Sequence, residues 1–312
     1  MLPSLTEAPV TREMGLSELE NITTSFNRDG FVHLPGVISA QELEVLRADS
    51  LQIIEGGWDK AEDSSDYFHD VLPDSGENVF HRVQYVFPKA QRGSFITLLG
   101  QPFILQIVQH LLGDDFLCAA EALVFKMAGN GREVTIHADC DPYDERLSPL
   151  IFNVDYYLDD SSLENGCLWV APGTHKMVHQ LPKNEVFRGL NFKGMIPLPV
   201  KAGDVLLHNV RLIHGSPRSN GGALRRTLYY EFQSIAAMQK QNGPRPAHPL
   251  RNNFIEDRIR LLMRAVDQRK SAPFAEDETP FDYKPPAGYD MAWPSPDEAI
   301  DLRPALGYNK YI

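Results

Sequence analysis

Residues 203–215 read "GDVLLHNVRLIHG". Aliphatic residues bounded by Gly-Asp and Gly-Ser turns predict a strand here. Read as one continuous strand, it places His208 and His214 on an even spacing and so on one face. Past a Ser-Asn-Gly-Gly turn, "RRTLYYEFQS" at 225–234 predicts a second strong strand. Working back toward the N-terminus, the same kind of segment recurs as "MIPLPV" (195–200), "GCLWVAP" (166–172), "PLIFNVDYYL" (149–158), "EVTIHAD" (133–139) and "FLCAAEALVFKMA" (116–128). Turn clusters such as "GNG", "DDSSLENG" and "SNGG" separate several of them. Many short strands without regular intervening helices predict a mainly β fold, an antiparallel double-sheet barrel rather than a parallel α/β sheet.

The flanks follow a helical period. Ser17 with Glu20, and Ser39 with Glu42, match the capping-box pattern. The second of these helices would carry Leu43, Leu46, Leu51 and Ile54 and stop at Gly56-Gly57. Between the two, "GFVHLPGVI" reads as a short strand closed by a Pro-Gly turn. A third helix opens with Pro102, buries Phe103, Ile104, Ile107, Val108 and Leu111, and ends at Gly113. Beyond residue 235, "NNFIEDRIRLLMRAVDQR" predicts an amphipathic helix with Phe254, Ile255, Ile259, Leu262 and Val266 on one side. The Pro-rich arm "PFDYKPPAGYDMAWPSPDE" holds enough aromatics to pack on the core or on a second copy, so a homodimer built through the arm is one expectation. The chain therefore divides into a helical N-terminal part (15–115), a barrel core (116–235) and a C-terminal helix and arm (236–312). All belong to a single domain, 1–312.

Composition narrows the function. At 312 residues with 43% hydrophobic and 23% charged residues, the chain suits a soluble globular enzyme. A net charge of -12 argues against nucleic acid as a partner. No apolar run is long enough for a membrane span, and the first residues lack the basic flank and apolar segment of a secretory signal. Three cysteines without a CxxC pair fit a reducing, cytoplasmic setting, which suits a reduced metal.

That metal is suggested by "REVTIHADCDPYDE", residues 132–145. On a strand His137 and Asp139 point to the same face, offering one imidazole and one carboxylate. His214 is the preferred third ligand, and His208 competes for the role. Two histidines and a carboxylate on one side of an ion form the facial triad of non-haem Fe(II) oxygenases, with three positions open. In the last strand Arg225 and Thr227 share a face, and a guanidinium beside a hydroxyl suits a carboxylate. Across the barrel from the metal, this pair would fit a dicarboxylic co-substrate such as 2-oxoglutarate. Asn153, Asp155 and Tyr157 share one face of their strand and need polar partners there, so a substrate or co-substrate contact is expected of them, with Asn153 toward the co-substrate. Trp169 reads as pocket wall, and His175 as a structural residue beside its Pro-Gly turn.

Four segments in this order, "RDGFVHLPGVISAQELEVL", "VFKMAGNGREVTIHADCDPY", "VDYYLDDSSLENGCLWVAPGTHK" and "AGDVLLHNVRLIHGSPRSNGGALRRTLYYEF", resemble the phytanoyl-CoA dioxygenase family over residues 20–234. The resemblance implies a double-stranded β-helix, the cupin-like jelly roll. It implies Fe(II) on His137, Asp139 and His214, and 2-oxoglutarate held through its distal carboxylate by Arg225. Lys126 matches a family position that is often polar and near the co-substrate; a lysine snorkelling from the barrel is the other reading. The expected reaction consumes O2 and 2-oxoglutarate and oxidises a small organic substrate. Rival readings are a non-oxidative metalloenzyme on the same fold and a ligand-binding jelly roll that keeps its metal site. Specificity is expected from loops 57–80, 140–150 and 177–194 and from the arm.

Overall fold

The computed structural model describes residues 14–60, 66–72, 75–129, 131–141, 144, 147–148, 150–177, 180, 194–219, 221–241, 252–289, 291–295 and 298–302. Much of the 177–194 loop, parts of the other two loops and residues 303–312 of the arm therefore lie outside the described residues. In chain order the elements are α1 (Leu16–Asp29), β1 (Phe31–Leu34), α2 (Ala40–Glu55), β2 (Tyr67–Val71), β3 (Asn78–Gln84), α3 (Ser94–Leu99), α4 (Pro102–Leu112) and β4 (Phe116–Lys126). Then follow β5 (Val134–His137), β6 (Phe152–Tyr157), β7 (Leu168–Val170), β8 (Ile196–Leu198), β9 (Val205–Asn209), β10 (His214–Ser216), β11 (Arg225–Ser234), α5 (Ile235–Gln241) and α6 (Phe254–Lys270).

The strands form two antiparallel sheets, one of seven in the order β1-β9-β6-β11-β4-β3-β2 and one of four in the order β5-β10-β7-β8. This is the expected jelly roll. The stretch 203–215 is not one strand, however. β9 ends at Asn209, whose side chain accepts from the Arg211 N–H at 2.9 Å while its carbonyl accepts from the Leu212 N–H at 2.8 Å. An asparagine capping its own turn in this way bends the chain. β10 then resumes in the opposite sheet, so His208 and His214 stand on different walls of the barrel.

Two other expectations change. The helical reading of 15–115 missed the β2–β3 hairpin, whose half-buried edge strand "YFHDV" carries little apolar alternation. Ser17 does not cap α1, which starts at Leu16 behind Gly15 without a side-chain cap. Ser39 does cap α2, its Oγ accepting from the Glu42 N–H at 3.2 Å. The Glu42 carboxylate pairs with Arg269. α4 opens as expected behind Gln101, whose side chain accepts from the Ile104 N–H.

The main core lies between the outer face of the larger sheet and the helices. Leu123 and Phe125 of β4 and Leu228, Tyr230 and Phe232 of β11 pack with Phe26, Leu46, Phe95, Ile104 and Leu262. The arm closes on the same core through Phe281, Tyr283 and Leu302. α3 and α6 approach so closely that a Cβ on Gly100 would overlap the Ala265 carbonyl. α6 also carries a fully buried arginine, Arg258, whose Nη1 meets Glu121 of β4 at 2.6 Å and whose Nη2 donates to the Leu302 carbonyl of the arm. No helix among the described residues is long and apolar enough to cross a membrane. Arg258→Met would leave Glu121 buried without its partner, and denaturant unfolding should show a loss of about 3–5 kcal/mol. Arg258→Met with Glu121→Leu should recover much of that loss; equal loss in both variants would deny the pair its role.

Candidate metal centre

β5 ends on His137 and β10 begins on His214, and the strand register sets the two opposite each other with ring centroids 4.3 Å apart. Just past β5, the Asp139 N–H donates to the Val210 carbonyl at 2.8 Å, which holds its carboxylate at the corner between β9 and β10. One ligand atom from each of His137, Asp139 and His214 lies within 4.8 Å of the others. The Nδ1 of His137 faces the Thr135 carbonyl at 2.8 Å, and the Nδ1 of His214 faces the Leu212 carbonyl at 2.9 Å. A carbonyl only accepts, so each Nδ1 carries a proton, which leaves Nε2 as the nitrogen that would offer its lone pair to a metal. Those Nε2 atoms stand 3.1 and 3.5 Å from Asp139 Oδ1. Burial holds the His214 imidazole neutral, down to about 3. Two lone pairs and an anionic oxygen converging on one point form the donor set of a divalent transition-metal ion.

The other carboxylate oxygen is anchored to the larger sheet. Asn153 Nδ2 donates to Asp139 Oδ2 at 2.8 Å, and His208 Nε2 lies 2.9 Å from the same atom. His208 Nδ1 in turn meets Asp155 Oδ2 at 2.8 Å. Burial alone would lower the His208 pKa, but the two carboxylates outweigh it and push it up to about 10. His208 is thus an imidazolium that donates at both nitrogens and orients the ligand Asp139. The donor atoms that converge are those of His137, Asp139 and His214, while His208 stands behind Asp139. Asn153, expected among the co-substrate's contacts, has its amide nitrogen committed to Asp139.

The inner face of the larger sheet continues in register away from the triad. Arg225 pairs with Lys126, and Thr227 pairs with Val124 on one side and Tyr157 on the other. Arg225 Nη1 donates to Ser161 Oγ at 3.2 Å and to the Gly166 carbonyl at 2.6 Å. Its Nε, the Thr227 hydroxyl and the Tyr157 hydroxyl are buried and have no hydrogen-bond partner among the described residues. Such unmet groups are costly unless a ligand satisfies them, and a carboxylate is the matching acceptor. Lys126 donates to the Arg132 and Pro217 carbonyls, and burial beside Arg225 pushes its ammonium down to about 6.

Trp169 is a correction. Val170 pairs with His214 and packs with Leu168 in the inner cluster, so alternation turns Trp169 to the outer face of β7, opposite Gly215 and Pro197. Three inner-face residues went unrecognised in the sequence. Tyr229 and Glu231 follow Arg225 and Thr227 at even spacing, which was legible. Burial and the nearby Asp139 charge push Glu231 up to about 7. Arg82, on β3, was hidden with the unrecognised hairpin. Replacing His208 with Ala keeps all three ligands and removes the orienting cation. Fe(II) affinity, read by competition with a chelator, should fall roughly 10–100-fold; unchanged affinity would leave His208 a mere core residue.

A sequence profile described as phytanoyl-CoA dioxygenase (PhyH) matches residues 26–227, which include the triad, Arg225 and Thr227. Human peroxisomal phytanoyl-CoA dioxygenase is 29% identical over 148 residues, a match spanning 43% of this chain and 44% of that protein. Among solved structures, AviO1 from Streptomyces viridochromogenes Tue57 is 27% identical with a TM-score of 0.60, covering 72% of this chain and 98% of that one. The epimerase SnoN, in complex with Fe3+, alpha ketoglutarate and nogalamycin RO, shares the fold at 20% identity and a TM-score of 0.55, covering 76% of this chain and 94% of that one. The chain belongs to the phytanoyl-CoA dioxygenase family, and with it to the non-haem iron, 2-oxoglutarate-dependent dioxygenases.

Proposed function

We propose that this dioxygenase oxidises one C–H bond of a small to mid-sized organic metabolite, by hydroxylation or by the related desaturation, ring-closing or demethylating outcomes. One observation carries the reading: the metal triad and the unmet donors of Arg225, Thr227 and Tyr157 belong to the same lumen. When bound there, Fe(II) with 2-oxoglutarate and O2 supplies the oxidising chemistry, and 2-oxoglutarate leaves as succinate and carbon dioxide.

The chain's own residues bind, orient and exclude water. His137, Asp139 and His214 would take one side of the ion and leave the rest for co-substrate and O2. Ser161 and the Gly166 carbonyl grip one end of the Arg225 guanidinium, so its fork is ordered before the co-substrate's distal carboxylate arrives. The Thr227 and Tyr157 hydroxyls stand ready to complete that contact. Phe31, Leu168, Val170, Leu206 and Leu212 form an apolar cluster between the sheets that keeps bulk water out. We favour a natural-product intermediate as substrate, and a cytoplasmic setting fits the unpaired Cys118, Cys140 and Cys167.

Arg225→Gln should raise the 2-oxoglutarate KM by roughly 10–100-fold, the worth of a lost charge-assisted pair, while Fe(II) affinity stays unchanged. His137→Ala should lose both metal binding and succinate formation. Chelation should stop succinate formation and added Fe(II) restore it. Succinate release that survives both substitutions would sink the assignment.

A further inference from the structure

The inner face of β11 carries an acid that neither the metal nor the co-substrate uses. Glu231 pairs with Asn153 of β6, which pairs in turn with His208 of β9, so the three share one row across the larger sheet. Asn153 and His208 both reach the Asp139 carboxylate, which fixes that row on the lumen side at the level of the triad. Arg225 lies six residues back along β11, about 20 Å of strand. A 2-oxoglutarate drawn from the metal toward Arg225 therefore leads away from Glu231 and leaves it for another molecule. The neighbouring strand provides room for one. Ala120 of β4 stands opposite Glu231, and Ala122 stands opposite Tyr229, so methyl groups make a shallow floor there. Ala120, Tyr229 and Glu231 are all partly exposed.

The charges of this wall are unevenly matched. Asp139 and Asp155 share the imidazolium of His208. Glu231 has no such partner. Its Oε1 accepts from the Gln233 amide at 3.2 Å, and among the described residues Oε2 meets no donor and the carboxylate no cation. Arg258 acts on it only from the outer side of β4 and is itself paired with Glu121. A carboxylate shielded from bulk water is stabilised more by a counter-charge than by one neutral hydrogen bond. The Tyr229 ring, two residues away on the same face, adds an aromatic surface suited to a cation.

We propose that Glu231 is the specificity-determining residue of the lumen, its Oε2 accepting from an ammonium or amidinium group of the substrate beside the Tyr229 ring. The proposal rests on the oxygenase reading of the lumen and adds the substrate's charge to it. The two ends of β11 then sort the two organic molecules by sign, the anionic co-substrate at Arg225 and the cationic group at Glu231. A substrate with a carboxylate at this position would be repelled by Glu231, and a neutral one would leave it without a counter-ion.

The test uses the full-length protein loaded with one equivalent of Mn(II) and with 2-oxoglutarate, so that no probe is consumed. The probes are 3-phenylpropylamine, 3-phenyl-1-propanol and 3-phenylpropanoate, with wild type, Glu231→Gln and Glu231→Asp. Binding is read from the proton relaxation that Mn(II) induces in each probe, an effect that falls steeply with distance and so ignores amines held on the acidic surface. In wild type the amine should bind more tightly than the alcohol, and the carboxylate most weakly. Glu231→Gln keeps the shape but not the charge, and should weaken the amine roughly 10–100-fold while leaving the alcohol unchanged. Glu231→Asp should keep part of the preference. The affinity for 2-oxoglutarate should stay within about twofold in both variants, as expected for separate sites. An amine that binds no better than the alcohol, that binds Glu231→Gln equally well, or that binds without relaxation by the ion overturns the proposal. So does a loss of 2-oxoglutarate affinity in Glu231→Gln, which would tie Glu231 to the co-substrate. A wild type that binds Mn(II) but no 2-oxoglutarate would remove the oxygenase reading itself and the proposal with it, an outcome visible before any Glu231 variant is measured.

Discussion

The two walls of the barrel meet chemically at the carboxylate of Asp139. One oxygen accepts from Asn153 and His208 of the seven-stranded sheet, and the other faces the Nε2 atoms of His137 and His214 in the four-stranded sheet. Burial alone would raise this carboxyl, yet the surrounding histidines hold it well below the usual carboxylate range. The relay Asp155–His208–Asp139 alternates negative, positive and negative charge, so a buried cation and two buried anions stabilise one another. A ligand fixed in this way presents one oxygen in one direction. A metal placed against it then needs little reorganisation of the protein.

The barrel divides its labour by face. On the outer side, buried charges are paired: Arg258 with Glu121, and Arg269 with Glu42 and Glu278. Those pairs tie α6 to β4, to α2 and to the segment that follows α6. On the inner side, Arg225 Nε, Arg82 Nε and the hydroxyls of Thr227 and Tyr157 have no hydrogen-bond partner among the described residues. Buried polar groups are rarely left so, and these four face the lumen, where a ligand can reach them. The same alternation in β11 sends Arg226 outward to a two-point pair with Asp159 and Arg225 inward to the lumen.

Much of this was legible because residue type and strand period agreed. His137 and Asp139 at even spacing, and Arg225 with Thr227, could be assigned to a shared face from the sequence alone. What failed depended on tertiary closure. The corner at Asn209 separates His208 from His214, and nothing in an apolar run announces that the chain changes sheets. Trp169 shows the limit of parity: even spacing identifies its companions on the strand but not which face looks inward. That is set by Val170 pairing with His214. The β2–β3 hairpin stayed hidden because an edge strand gains little from burial and so carries little pattern, and Arg82 stayed hidden with it.

The most direct measurement is a crystal structure of the protein with Mn(II) and 2-oxoglutarate, the metal located by its anomalous signal. The account predicts one metal on the Nε2 atoms of His137 and His214 and Oδ1 of Asp139. His208 should remain hydrogen-bonded to Asp139, and the distal carboxylate of 2-oxoglutarate should lie on Arg225, Thr227 and Tyr157. A metal bound by His208, or a co-substrate carboxylate away from Arg225, would contradict it.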